Sequence, residues 1–316
     1  MRIPVDSHSR IVSLLSSSTE IVSALGCLDW LVGRSHECDY PPEVLALPVC
    51  SRPRIDPSAS SLDIDSQVKT LVTNQISIYE VDGPRLSALR PDFILTQMLC
   101  EVCAVSDRDV LSALGPDLLP GARLLSLSPQ CLAETWADIQ TVADALGISD
   151  RGADVVASLR LRMEELRARV SPRTRPRVAC IEWISPLMAA GNWVPELVEA
   201  AGGESVLGRA GVHSPWLSWE ELAAAAPEVI VLMPCGFDLA RTCQEARVLD
   251  SEARWNALPA VRNDRVYAVD GNQYFNRPGP RLVDSAEMLT EIIHQPELTK
   301  GTGWCQLVMQ CQSEGD

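Results

Sequence analysis

The sequence predicts an α/β protein in which two Rossmann-like lobes, each with a mainly parallel sheet, are joined by a long helical linker and enclose a ligand cleft. Three observations predict this fold class. The chain opens with a buried-strand pattern, a tight turn and a helix; the same arrangement recurs in the second half; and two apolar runs at helical spacing separate the halves. With 316 residues, 46% of them hydrophobic, the chain can bury two cores of domain size.

The first lobe begins with a short polar turn after its first apolar stretch. Ser17 and Glu20 have the spacing of a helix capping box, and Gly26 suits the position just after a helix. Each later apolar stretch of about five residues predicts a further buried strand. The predicted strands of this lobe cover 10–15, 92–97 and 123–128.

The second half repeats the order of the first. The matched segments are 25–34 with 201–209, 86–97 with 222–233, and 123–127 with 265–269. Three matches in the same order predict that the two halves have the same architecture. Gly33 and Pro91 lie 58 positions apart, whereas their counterparts lie 19 apart, so the first lobe carries about 39 extra residues.

Between the lobes, apolar residues recur every three or four positions in two runs that are separated at Gly147, which predicts a pair of helices. The last residues are polar and contain glycine, which is typical of a loose tail. The predicted divisions are an N-terminal α/β lobe at 1–128, a helical connector at 129–172, a C-terminal α/β lobe at 173–298 and a flexible tail at 299–316.

Charge and composition exclude several function classes. The net charge of −15 and pI of about 4.7 repel phosphate backbones and anionic lipid, so we expect no nucleic-acid or membrane partner. The first residues lack a basic segment followed by an apolar one, and no apolar stretch approaches membrane-spanning length. The odd number of cysteines, 11, is typical of reduced thiols. We therefore expect a cytoplasmic monomer that binds a small molecule.

Aromatic residues concentrate just after the predicted strands. Ligands of open parallel sheets bind beyond the carboxyl ends of the strands, so these side chains should line the cleft. In a chain that is 5% aromatic, such walls favour a large, mostly apolar ligand with a polar fringe. The alternative is that each ring packs within its own loop. The aromatic candidates are Tyr40, Trp183, Trp193, Phe237, Tyr274 and Phe275.

Further residues near the strand ends complete the predicted ligand contacts. The glutamates among them are candidates for acid–base chemistry, but solvated or ligand-bonding carboxylates explain them without catalysis. The sequence contains neither a glycine-rich nucleotide loop nor a Gly-x-Ser-x-Gly elbow, so we predict a binder with no catalytic residues rather than an enzyme. These contacts are Ser17, Ser18, Thr19, Glu37, Arg52, Arg54, Tyr79, Gln97, Glu101, Glu182, Asn192, Trp216, Arg277 and Arg281.

The same loops carry several potential metal ligands. A structural zinc site needs four ligands, and one Cys-x-x-Cys supplies two. Three interpretations remain open: thiols that line the cleft without a metal, a site for a metal ion or metal cofactor, and a redox pair. The candidates are His36, Cys38, Cys100, Cys103 and Cys235.

Over roughly residues 9–298 the chain resembles the helical-backbone, or class III, family of periplasmic-binding-protein-like substrate binders for cobalamin and iron–siderophores. The motifs that carry this resemblance are at 10–20, 86–96, 182–183, 195–198 and 216–220. Within the family the chain is similar to the cobalamin-binding branch, through the motifs at 36–41, 100–103, 233–237 and 277–281.

The resemblance implies a corrinoid clamped between the lobes, with aromatic side chains against the ring. It implies that His36 or a cleft cysteine ligates the metal, and that arginines meet amide, carboxylate or phosphate groups of the ligand. Importer-linked members of the family dock on a membrane permease through one acidic residue per lobe. Glu220 aligns with the second of these acids, but Pro84, followed by Arg85, stands at the first.

These observations give three hypotheses for function. The first is a cytosolic, non-catalytic carrier, sensor or buffer of cobalamin or a related corrinoid or tetrapyrrole. The second is a thiol-dependent enzyme or metallochaperone that uses Cys100 and Cys103. The third is the substrate-binding component of an ABC importer for cobalamin or an iron–siderophore. The incomplete docking pair and the bare N-terminus favour the first.

Overall fold

A computed structural model of the chain describes residues 9–74, 76–97, 105–114, 121–171 and 173–308. The backbone falls into two units. Unit 1 comprises 1–59, 63–129 and 133–157, and unit 2 comprises 60–62, 130–132 and 158–316. Each unit has its own sheet, and helices alternate with the strands along the chain. This order confirms the predicted α/β class. The lobe boundaries at 128 and 172 stay a prediction.

Unit 1 is built on a parallel sheet in which β2, β1, β5 and β6 lie side by side in that order. The strands are β1 (Ile11–Ser13), β2 (Leu31–Arg34), β3 (Ser51–Pro53), β4 (Tyr79–Val81), β5 (Phe93–Gln97) and β6 (Arg123–Leu127). The helices are α1 (Ser16–Ala24), α2 (Ser61–Thr73), α3 (Gly83–Leu89) and α4 (Asp107–Leu114). The antiparallel pair of β3 and β4 lies within the extra residues of the first half.

The predicted connector contains two helices, α5 (Leu132–Ala145) and α6 (Ser149–Val170). Gly147 separates them with a φ of +75°, a left-handed conformation that glycine adopts without a steric cost. Both helices bury an apolar stripe, and Ile139, Val142 and Leu166 are fully buried. The helical spacing in the sequence therefore reflects packing of one face of each helix.

Unit 2 is built on a mixed sheet in the order β12, β13, β11, β10, β7 and β8, with β9 paired to β7. Its central strands β7, β10 and β11 are parallel. The strands are β7 (Arg177–Trp183), β8 (Met188–Ala189), β9 (Glu204–Ser205), β10 (Val229–Leu232), β11 (Val266–Val269), β12 (Lys300–Gly301) and β13 (Trp304–Gln306). The helices are α7 (Val194–Ala200), α8 (Trp219–Ala225), α9 (Leu239–Glu245), α10 (Ala253–Asn256), α11 (Pro259–Arg262), α12 (Gly271–Tyr274) and α13 (Leu282–His294).

The repeated segments adopt the same local geometry in both units. Arg90 ends α3 with a φ of +43° and Ala226 ends α8 with a φ of +40°, each directly before a proline and a buried strand. Gly26 and Gly202 follow α1 and α7 with φ values of +71° and +80°. Left-handed caps of this kind at equivalent positions confirm that the sequence similarity between the halves is structural.

Two local predictions are wrong. Helix α1 begins at Ser16, so Ser17 lies within the first turn and the expected capping box with Glu20 does not form. The segment 299–316 is not a loose tail throughout, because β12 and β13 pair antiparallel and β13 joins β11. Trp304 anchors this hairpin as a fully buried side chain.

Each unit has an apolar core against its sheet. Val12, Leu14 and Ile94 belong to the core of unit 1, and Ile230 and Trp255 belong to that of unit 2. Each of these side chains is fully buried. Within the described ranges, no helix has the length and apolar character needed to cross a bilayer.

Candidate ligand-binding site

The carboxyl ends of the three central strands of unit 2 lie at one edge of its sheet. Leu232 in β10 is opposite Ile181 in β7 and Ala268 in β11. The segments that follow these strands therefore leave the sheet side by side. This edge is where parallel sheets bind ligands, because loops from adjacent strands converge there.

The loops that follow β10 and β11 pack tightly against each other at this edge. The backbone N–H of Asn272 donates to the Phe237 carbonyl at 3.1 Å. A Cβ at Gly271 would come within 2.5 Å of the Pro234 carbonyl oxygen, so only glycine permits this approach. The backbone N–H of Cys235 donates to the Glu182 carbonyl at 3.1 Å, which joins the first loop to β7.

An aromatic pair with a cation lies at this edge of the sheet, with Trp183 at the end of β7 and Phe237 in the loop after β10. The rings of Trp183 and Phe237 have centroids 5.4 Å apart at 57°, and the Arg241 guanidinium lies 3.7 Å from the Phe237 centroid. Asp238 caps α9 by accepting from the Arg241 backbone N–H, which places Arg241 one turn after Phe237. We call Trp183, Phe237, Arg241 and Glu182 the strand-end cluster.

The carboxylate of the strand-end cluster is held in place by hydrogen bonds. The Ser214 hydroxyl donates to Glu182 Oε2 at 2.6 Å and accepts from the backbone N–H of Gly191 at 3.0 Å. Glu182 is half-buried and Ser214 is buried. A fixed carboxylate beside flat rings and a guanidinium suits a planar ligand that carries polar substituents.

Phe237 is the buried member of the strand-end cluster. Its ring is 2% exposed between Trp183 and Arg241, whereas those two side chains are half-buried. Trp183, Arg241 and the half-buried Glu182 are therefore the members that can present surface to a ligand.

The other aromatic candidates of unit 2 divide into buried and exposed side chains. Trp193 donates from Nε1 to the Phe275 carbonyl at 2.8 Å, and these two side chains are 6% and 0% exposed. They pack inside unit 2, and their place on a ligand surface stays a prediction. Trp216 is 57% exposed, and Tyr274 is half-buried with the Arg281 guanidinium 5.3 Å from its ring centroid.

The other polar candidates of unit 2, apart from Glu182, lie in loops of this unit. Asn192 adopts a φ of +50° and donates from its backbone N–H to the Val212 carbonyl at 2.7 Å. Arg277 and Arg281 are buried, at 2% and 8% exposure, and Arg281 Nη1 donates to Gln273 Oε1 at 3.3 Å. The two arginines therefore belong to the packed loop after β11 rather than to an open surface.

In unit 1 the polar segment after β1 is satisfied internally. Ser18 Oγ donates to the Leu15 carbonyl, and Thr19 Oγ1 donates to Ser13 Oγ at 2.7 Å. Ser17, Ser18 and Thr19 are between 0 and 1% exposed. Their side chains are buried within the unit, and the contact of these three residues with a ligand stays a prediction.

His36 and Tyr79 meet beside β3. Their ring centroids are 5.5 Å apart, and His36 Nδ1 lies 3.0 Å from Ser51 Oγ. Tyr79 is 7% exposed. Burial lowers the pKa of His36 to about 4, and the neighbouring charge of Arg34 adds to this effect. His36 is therefore neutral at physiological pH.

We expect the low pKa of His36 to make the fold less stable in mild acid. As pH falls from about 6.5 towards 4, the unfolded chain binds a proton that native His36 does not, so the free energy of unfolding decreases. The decrease should be smaller in His36→Asn, measured by denaturant unfolding at pH 7 and pH 5. NMR checks the pKa directly: the imidazole signal of His36 is identified as the one that the spectrum of His36→Asn lacks. In the wild type this signal should titrate near pH 4, and titration near pH 6.5 would contradict the burial argument.

Charged candidates of unit 1 line open cavities. Arg54 and Tyr79 line a cavity of about 450 Å³, and Arg52 lines a second one of about 460 Å³. Glu80 lines both cavities and binds the two arginines, with Arg52 Nη2 at 2.6 Å from Oε1 and Arg54 Nη1 at 3.3 Å from Oε2. These exposed guanidiniums are already paired, which reduces what each offers to a ligand.

The remaining candidates of unit 1 differ in exposure. Gln97, the last residue of β5, is buried at 7% exposure, whereas Tyr40 is 41% exposed and Glu37 is half-buried. Glu101 lies outside the described residues.

The predicted metal site is not supported by the described part of the chain. There, no group of three or more His, Cys, Asp or Glu side chains is placed to hold a metal ion. Cys38 is fully buried, with its sulfur 3.2 Å from Ser35 Oγ, and burial raises its pKa, so it is a poor ligand. Cys235 is half-buried, and Cys100 and Cys103 lie outside the described residues.

Comparison with known proteins identifies the family. The family described as periplasmic binding protein matches residues 11–272. The chain belongs to this family. This match confirms the family that the sequence motifs indicate. The relatives of this periplasmic binding protein include ligand-binding proteins.

Three similar proteins illustrate the range of the relatives. The vitamin B12-binding protein of Vibrio cholerae is 24% identical over 284 residues, which cover 89% of this chain and 87% of that protein. An uncharacterized ABC transporter substrate-binding lipoprotein of Bacillus subtilis, YvrC, is 22% identical, with 90% and 80% covered. The apo structure of the periplasmic heme-binding protein RhuT from Roseiflexus sp. RS-1 is 25% identical, has a TM-score of 0.67, and covers 92% of this chain and all of its own.

These comparisons contradict the prediction of a cytoplasmic location. The similar proteins include a periplasmic protein and a substrate-binding lipoprotein, which act outside the cytoplasm. The expectation that this periplasmic binding protein has no membrane partner is also unsupported. One relative is named as a substrate-binding lipoprotein of an ABC transporter.

The sequence-based search for site residues missed Arg241 and Ser214. Arg241 stands four positions after Phe237, the spacing that brings side chains together on one helical turn, and Asp238 between them is a preferred capping residue. This spacing could have identified Arg241 from the sequence. No local pattern could have identified Ser214, because its contact with Glu182 joins residues 32 positions apart.

Proposed function

We propose that this periplasmic binding protein is the extracytoplasmic substrate-binding component of an ABC importer, and that its ligand is cobalamin or a related corrinoid or tetrapyrrole. Binding is non-catalytic in this proposal. The observation that carries it is the strand-end cluster, in which Trp183 and Arg241 flank Phe237 beside the fixed carboxylate of Glu182.

The chemistry of the cluster favours a large conjugated ring. A tetrapyrrole offers a flat apolar face to an indole ring and carries amide or carboxylate groups at its edge. Arg241 suits a carboxylate or an amide carbonyl as hydrogen-bond donor, and Glu182 suits an amide N–H as acceptor. The relatives named for vitamin B12 and heme support this ligand class, since both are metal-bearing macrocycles.

The importer role has support from unit 2. Glu220, which the family resemblance aligns with a permease-docking acid, lies in the exposed first turn of α8 with its carboxylate 3.0 Å from Arg254 Nη1. Pro84 stands at the first-lobe counterpart, at the start of α3 and before the exposed Arg85. We propose that docking depends more on Glu220 than in relatives with two acids.

A titration tests the ligand class. Purified protein is titrated with hydroxocobalamin, and the visible spectrum of the corrinoid is recorded together with the tryptophan emission. We expect saturable quenching with a Kd in the micromolar range or below, because Trp183 lies in the cluster. A parallel titration with hemin shows which macrocycle binds more tightly. If neither ligand gives a saturable change, the proposed ligand class is wrong.

A further inference from the structure

Two cysteines of unit 2 are in direct contact. Cys243 lies in α9 and Cys305 in β13, and their sulfur atoms are 3.3 Å apart although the residues are 62 positions apart in the chain. Both side chains are half-buried, so solvent reaches the pair. Neither residue belongs to the strand-end cluster.

Regular structure holds the backbone at both cysteines. Cys305 is opposite Ala268 of β11 and Lys300 of β12, and the neighbouring Trp304 is fully buried. Cys243 lies in α9, which Asp238 caps. The 3.3 Å separation is shorter than an ordinary contact between two sulfur atoms, and a disulfide would bring them to roughly 2.05 Å.

The contact also makes the two sulfurs chemically unequal. A hydrogen bond from the Cys243 thiol lowers the pKa of Cys305, whereas the same bond and burial raise the pKa of Cys243. Cys305 is therefore the better nucleophile of the pair at neutral pH, because the thiolate is the reacting form.

We propose that Cys243 and Cys305 form a disulfide that links α9 to the carboxy-terminal hairpin. The oxidant is an external disulfide, of a small thiol or of a protein. The Cys305 thiolate attacks one of its sulfurs, which forms a mixed disulfide and releases the first external thiol. Cys243 then loses its proton and attacks the Cys305 sulfur, which releases the second. Two protein thiols are oxidised and one external disulfide is reduced.

The bond would join two segments that contact the loops of the ligand edge. Helix α9 also carries Arg241 of the strand-end cluster. In the hairpin, the Gly303 carbonyl accepts from the Asp270 backbone N–H at 2.8 Å, at the start of the loop after β11. The disulfide would therefore hold both loops in place. Its formation in the cell rests on the extracytoplasmic location in the proposed function, whereas the chemical step does not.

Peptide mapping tests the bond in the full chain. Cys100, Cys103 and Cys311 are replaced by serine, because the first two form a Cys-x-x-Cys and Cys311 shares a tryptic peptide with Cys305. The reduced protein is equilibrated with oxidised glutathione, its free thiols are blocked with N-ethylmaleimide, and it is digested without reductant. We expect a linked peptide pair that contains Cys243 and Cys305, and a melting temperature about 5–10 °C higher than that of the reduced protein.

Two variants in the same background serve as controls. Cys131→Ser should keep both the linked peptide and the rise in melting temperature, and Cys243→Ser should lose both. If Cys243 and Cys305 carry only maleimide or glutathione adducts, the proposal is overturned. It is also overturned if the linked form melts no higher than the reduced one. Ligand binding enters none of these readouts, so failure here is distinguishable from failure of the proposed function.

Discussion

Trp183→Ala should weaken hydroxocobalamin binding about 10- to 100-fold. Trp183 is half-buried on the 2%-exposed ring of Phe237, so its indole is the flat apolar surface that the strand-end cluster can offer to a macrocycle. Removing a central aromatic contact of a binding site costs about 1.5–3 kcal/mol of binding free energy. The measurement is a fluorescence or absorbance titration of both proteins under the same conditions.

Two controls sharpen this prediction. Trp183→Phe keeps a ring at the position and should lose less affinity than Trp183→Ala. Trp30→Ala removes another half-buried tryptophan, one that precedes β2 at the amino end of the sheet of unit 1, and should bind as the wild type does. Equal affinity of Trp183→Ala and the wild type would remove the strand-end cluster from the binding site.

Trp304→Ala should lower the free energy of unfolding by about 3–5 kcal/mol. Trp304 is fully buried, its ring meets Tyr267 edge to face at 5.7 Å, and its Nε1 donates to Glu291 Oε2 at 3.0 Å. The substitution removes an indole that packs β13 against β11 and α13, and it leaves a cavity in the place of the ring. Denaturant unfolding followed by circular dichroism measures the change.

The matched control for Trp304→Ala is Val308→Ala, four positions along the chain. Val308 is 86% exposed, so its truncation should change the free energy of unfolding by less than about 0.5 kcal/mol. If Trp304→Ala unfolds as easily as Val308→Ala and no more easily than the wild type, the carboxy-terminal hairpin is not part of the core of unit 2.

Much of the fold could be predicted because it depends on periodic burial. The strand after Pro91 begins with an apolar run, the strand after Pro227 is one throughout, and both are buried interior strands of their sheets. The hairpin at 300–306 was missed because its strands are two and three residues long and one tryptophan holds it. Short polar strands carry no periodic signal, and tertiary packing alone decides them.

The candidate site could be predicted less completely. The strand-end rule selected Glu182, Trp183 and Phe237, which lie at one edge of the sheet of unit 2. It also selected Trp193 and Phe275, which face the interior. Position in the chain shows where a loop leaves a sheet, but the direction of each side chain depends on packing between distant segments.

Co-elution of protein and corrinoid tests the central claim most directly. The protein is incubated with excess hydroxocobalamin, separated from free ligand by gel filtration, and assayed for bound corrinoid by absorbance, with Trp183→Ala in parallel. We predict close to one corrinoid per wild-type chain, and much less with the variant, because the strand-end cluster provides the contact for the macrocycle. A wild-type protein that elutes without corrinoid and, after the same incubation with hemin, without heme would contradict the account, as would a variant that retains as much ligand as the wild type.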